Sequence, residues 1–248
     1  MKYLIIIIVV LVAFLGYKMY IKKREEKKFA DFMGGLLKPK SEFKVSDKTD
    51  EPVAFGYKNL WFAVKTNNKE QLAGLLDLDV LGNSNWQNGV EQAYDNRVFI
   101  TPEVDGWTLV CGDGLLSLVE KESADIAILN KLSAKYGEAQ YFYTHRVTEY
   151  HIWAKSLNGK VIRYYSYMGE RGENMRVEGE PSEAEKGLKL INTFSVEAKA
   201  ENYFEREDLV IPDESMVMAI AKAWSISPVE LPVYNNSKKE FGIVCVKR

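Results

Sequence analysis

Asn158-Gly159 narrows what this chain can become more than any other pair of residues in it. Asn-Gly suits a two-residue type I′ turn, whose central positions both need positive φ. Three runs rich in β-branched and aromatic residues surround it: Gln140 to Val147, Tyr150 to Lys155 and Val161 to Tyr167. They predict an antiparallel three-stranded unit. A two-residue loop sets Trp153 opposite Tyr164, Ile152 opposite Tyr165 and Tyr150 opposite Tyr167. Alternation then puts Tyr150, Ile152, Tyr165 and Tyr167 on one face, and His151, Trp153, Ile162 and Tyr164 on the other. With aromatic residues on both faces, helices cover both sides or one face meets a ligand.

Other elements interleave with this sheet. Asn59 to Lys65 reads as a strand, and Thr66-Asn67-Asn68 caps a helix from Lys69. Asn83-Ser84-Asn85 caps a second, through Trp86, Val90 and Ala93. Arg97 to Thr101 and Trp107 to Cys111 read as two strands joined at Asp105-Gly106. Ile126, Leu129, Leu132 and Tyr136 recur at helical spacing, and Gly137 stops that helix. Glu170 to Pro181 reads as a mobile loop and Ser182 as the start of a short helix. Pro212-Asp213-Glu214 opens a last helix, and Phe241 to Val246 a last strand. The expected class is α+β, with a mixed or mainly antiparallel sheet and flanking helices.

The N-terminus is of another kind. Tyr3 to Tyr17 is unbroken apolar sequence, followed by Lys18, Lys22, Lys23, Arg24, Lys27 and Lys28. About 20 apolar residues cross a bilayer. Residues 3–21 meet that need with Lys18 snorkelling to the headgroups. A cleaved signal peptide is the rival reading, opposed by the bulky Phe14-Leu15-Gly16-Tyr17 close of the run. The basic flank predicts a single-pass inner-membrane anchor with the large domain in the cytoplasm, a periplasmic domain being the alternative. Residues 22–52 read as a basic stem and linker, and residues 53–248 as the soluble domain.

Residues 1–28 carry a net charge of +5, and the other 220 residues −7. An acidic domain argues against nucleic acid as the ligand. Cys111 and Cys245 sit in apolar runs, as buried thiols in a reducing compartment do.

No motif for a nucleophile, a phosphate loop or a metal stands out, so no catalytic residue, metal or cofactor is expected. His145 and His151 fall on opposite faces of their hairpin, which argues against a shared metal. Arg163, Arg171 and Arg176 lie near the aromatic hairpin, either to bind an anion or as a solvated edge.

Asn59 to Thr66, Ser84 to Gly89, Val98 to Pro102 with Gly106 to Val110, and Pro212-Asp213-Glu214 with Ala223 to Pro228 resemble a group of uncharacterised bacterial proteins. Some of its members are similar to immunity proteins that accompany secreted toxins. The resemblance implies a non-enzymatic protein that neutralises a toxin by protein–protein contact, and no catalytic residues. Tyr143, His151, Trp153, Arg163 and Tyr164 are the expected contact residues, since Tyr and Trp anchor interfaces well. The alternatives are an enzyme with a site near Trp107, Cys111 and Asp113, or a structural protein of the cell envelope.

Overall fold

The computed structural model describes residues 39–121, 123–234 and 239–248. The expected membrane helix at residues 3–21 and its basic stem to residue 38 lie outside the described residues. Among the described residues, no helix is long and apolar enough to cross a membrane.

Among the described residues, nine strands form one sheet in the order β2-β9-β3-β4-β1-β5-β6-β7-β8. They are β1 (Leu60–Val64), β2 (Leu78–Ser84), β3 (Val98–Ile100), β4 (Thr108–Cys111), β5 (Glu138–His145), β6 (Tyr150–Leu157), β7 (Lys160–Met168), β8 (Glu173–Glu178) and β9 (Gly242–Lys247). All neighbouring strands run antiparallel. The expected α+β class is therefore observed, and the sheet is antiparallel rather than mixed.

Central β1 shows why two helical layers are needed, because all five of its side chains are buried. Trp61 and Ala63 face one core with Phe99, Leu109, Phe142, Trp153 and Tyr165. Leu60, Phe62 and Val64 face the other with Ile100, Val110, Tyr141, Ile152 and Tyr164. Helices α2 (Trp86–Ala93) and α5 (Glu214–Trp224) cover the first face. Helices α1 (Lys69–Leu75), α3 (Leu116–Val119) and α4 (Ala124–Tyr136) cover the second. The expected caps do their work: Asn68 accepts from Gln71 N, Asn85 from Asn88 N, and Asp213 from Met216 N.

Three expectations change. The β6–β7 hairpin keeps its predicted pairing only near the turn, at Leu157–Lys160 and Ser156–Val161. Ile162 is then an extra residue, and Trp153 pairs with Tyr165 while Ala154 pairs with Tyr164. This β-bulge exchanges the faces of Tyr164 and Tyr165, because a shift of one residue inverts every later side chain. The expected mobile loop at Glu170 to Pro181 holds edge strand β8. Finally, residues 39–52 are not a free linker. Asp95 accepts from Lys40 N and Ser41 N, Asn83 O from Ser46 N, and Asp50 caps α2 through Trp86 N and Gln87 N.

Candidate functional site

One end of the sheet carries a cleft of about 500 Å³, inside the size range of small-ligand sites. β1 begins there and β4 and β5 end there, so residues distant in sequence meet. Tyr57 and Lys58 precede β1; Tyr94 and Asn96 follow α2. Asp113 and Leu116 follow β4, and Tyr143, His145 and Arg146 close β5.

Asp113 is the centre of this site. Two glycines present it on a rigid turn. Gly112 has φ +128, and a Cβ there would run into the Arg97 carbonyl oxygen. Gly114 lies against the same backbone, its N–H donating to Arg97 O at 3.2 Å. Only residues without a Cβ permit so close an approach. Asp113 is half-buried, and among the described residues its carboxylate has neither a hydrogen-bond donor nor a counter-ion. Burial pushes its pKa up to about 6.

Tyrosines wall the site. The Tyr94 hydroxyl donates to Tyr57 O at 2.8 Å and accepts from Gly56 N at 3.3 Å. Burial pushes the Tyr143 phenol up to about 12, helped by the charge of Asp113. Both phenols are thus neutral hydroxyls near pH 7. The His145 ring stacks on Tyr143 with centroids 6.3 Å apart, and its Nδ1 lies 3.0 Å from Thr148 Oγ1. Arg146 lies over the Tyr57 ring, 5.4 Å from its centroid, and bonds Glu214 at 2.8 Å. Lys58, exposed and held at φ 52, has no ion-pair partner among the described residues.

Of the five expected contact residues, only Tyr143 lines the cleft. His151 is fully buried, with Nε2 3.1 Å from Glu149 Oε2. Trp153 is fully buried, stacked on Tyr165 at 4.5 Å. Arg163 is buried in an ion pair with Glu185. Tyr164 is buried, with its hydroxyl donating to Asp125. These four hold the domain together and offer no contact surface. Of the alternative trio, Asp113 alone reaches the cleft. Trp107 lies beyond the other end of β4, under Lys65. Cys111 is fully buried, and burial pushes its thiol far above the usual range. Sequence reasoning missed Lys58, Tyr94 and Arg146.

No protein-family model matches the chain, and no curated protein or solved structure matches it either.

Proposed function

We propose that this chain is a membrane-anchored, non-enzymatic binding protein that captures a basic side chain of a protein partner in the Asp113 cleft. An immunity protein neutralising a bacterial toxin is the reading that fits the sequence resemblance. The observation that carries it is Asp113, a partly desolvated carboxylate between tyrosine walls with no counter-ion among the described residues. A lone desolvated charge costs stability unless something pairs with it. An arginine or lysine side chain supplies the missing charge, and phenol rings attract cations through their faces. The net charge of −7 on residues 29–248 favours capture of a basic partner. Residues 3–21 would hold the domain at the inner membrane on the cytoplasmic side. A reporter fused at Arg248 that is active only outside the cytoplasm would reverse that orientation.

The test is a calorimetric titration of the full chain in lipid nanodiscs with N-acetyl-arginine-N-methylamide, and with its glutamate analogue. Saturable binding of the arginine probe alone, lost in Asp113→Asn, is the expected result. Equal uptake of both probes overturns the reading.

One observation favours an enzyme instead. A carboxyl near pKa 6 exchanges protons close to neutrality. Turnover of an ester or amide probe with a pH limb near 6, absent in Asp113→Asn, would select that alternative.

A further inference from the structure

Lys58 and Asp113 carry opposite charges and line the same cleft, yet they do not pair. Among the described residues, neither takes part in an ion pair at all. Each charge is therefore open to a ligand that enters the cleft. Lys58 is exposed and leaves a left-handed backbone position, φ 52, just before β1. Asp113 is fixed by Gly112 and Gly114 against the Arg97 backbone. Tyr143 and Leu116 line the same cleft and offer it apolar surface suited to an aliphatic stem. Arg146, which also lines the cleft, already has Glu214 as its partner.

A ligand with only a positive charge satisfies Asp113 and leaves Lys58 unused, next to a like charge. A ligand with only a negative charge meets an acidic domain and the Asp113 carboxylate. A ligand with both charges, separated by a short apolar stem, satisfies the two ends together. We propose that the cleft recognises a basic residue bearing its own free α-carboxylate: the cation against Asp113, the carboxylate against Lys58. A C-terminal arginine or lysine of a partner chain and the free amino acid share this chemistry. The inference rests on the proposed capture of a basic side chain and specifies which basic residue is captured.

The experiment compares acetyl-Gly-Arg as the free acid, acetyl-Gly-Arg as the amide, and free arginine. Each is titrated into the full chain in nanodiscs, with Lys58→Gln run in parallel. The expected result is an acid form bound roughly tenfold or more tighter than the amide, one charge-assisted contact. In Lys58→Gln the two forms bind alike. Free arginine matching the acid peptide assigns the site to the amino acid; its failure to bind assigns it to a chain terminus. Acid and amide binding equally to the wild type overturns the inference and leaves capture of a basic side chain intact. An acid preference unchanged in Lys58→Gln also overturns it. Failure of all three ligands overturns both readings. Lys58 is exposed, so matching melting curves establish that the variant folds.

Discussion

Arg163 and Glu185 form an ion pair shut away from solvent, with Arg163 Nε 2.9 Å from Glu185 Oε1 and side chains 5% and 0% exposed. Trp153 Nε1 donates to the same oxygen at 3.0 Å, and Ser182 N and Oγ donate to Oε2 at 2.8 Å. Burial alone would raise the Glu185 pKa; the hydrogen bonds from Arg163 and Ser182 outweigh it and hold the pKa below the usual range. Glu185→Gln leaves the guanidinium charge without its partner and is expected to cost about 3–5 kcal/mol in urea unfolding. Arg163→Met with Glu185→Leu removes both charges and is expected to cost far less. The sign in pH follows from the depressed pKa. The wild type loses this contribution as pH falls below the ordinary glutamate range, and the double variant has none to lose.

A second prediction concerns the bulge. Val161 faces the α4 side, Ile162 is exposed, Arg163 faces Glu185 and Tyr164 faces the α4 side again. Deleting Ile162 restores strict alternation without moving Arg163, Tyr164 or Tyr165 to the wrong face. The deletion variant is expected to keep its near-ultraviolet circular dichroism and to lose on the order of 1 kcal/mol. Collapse of the aromatic signal would show that the bulge itself determines the register.

Local chemistry made much of this fold legible, and long-range assembly hid the rest. Asn68, Asn85 and Asp213 announce their helices because a cap acts on the backbone two or three residues away. Asn158-Gly159 announces its turn for the same reason. The Ile162 bulge is invisible to alternation, since two apolar residues in a row fit either register. β8 escapes notice because it is an edge strand in which only Asn174 is buried, among the charged Glu173, Arg176 and Glu178. The cleft draws on residues 57–58, 94–96, 113–116 and 143–146, and nothing local ties these together. Tyr143 is the expected contact residue that reaches the cleft, and Asp113 stands between two glycines, a pattern that marks close backbone approach.

That pattern gives a third prediction. At φ +128, with the Arg97 carbonyl in the way, Gly112→Ala must shift either the Asp113 turn or the Arg97 backbone. A loss of more than about 2 kcal/mol is expected in urea unfolding. Gly172→Ala is the comparison: its φ is also positive, at +65, but its Cβ would meet nothing within 4 Å. It should cost clearly less. Similar losses in the two variants would mean that close approach to Arg97 does not set the geometry of Asp113.

Asp113 itself gives the most discriminating prediction, because stability and binding should move in opposite directions. Its carboxyl has a pKa of about 6 in the fold, against an ordinary 3.8. Between these values the folded chain binds the proton more tightly than the unfolded chain does. This group's effect on stability therefore falls as pH rises from 4 toward 7, and stays unfavourable above that range. Asp113→Asn removes the charge and keeps the shape. Near pH 7.5 it is expected to stabilise the domain by about 1–2 kcal/mol, once partial exposure is discounted. Near pH 4 the two proteins should unfold alike, so the wild-type minus variant difference is the quantity to plot. The same variant should lose the arginine probe at every pH. A destabilised variant at pH 7.5 would mean that Asp113 has a structural partner after all. A stabilised variant that binds the probe as well as the wild type would remove Asp113 from the site. Greater stability together with lost binding is the signature of a charge kept for a ligand rather than for the fold.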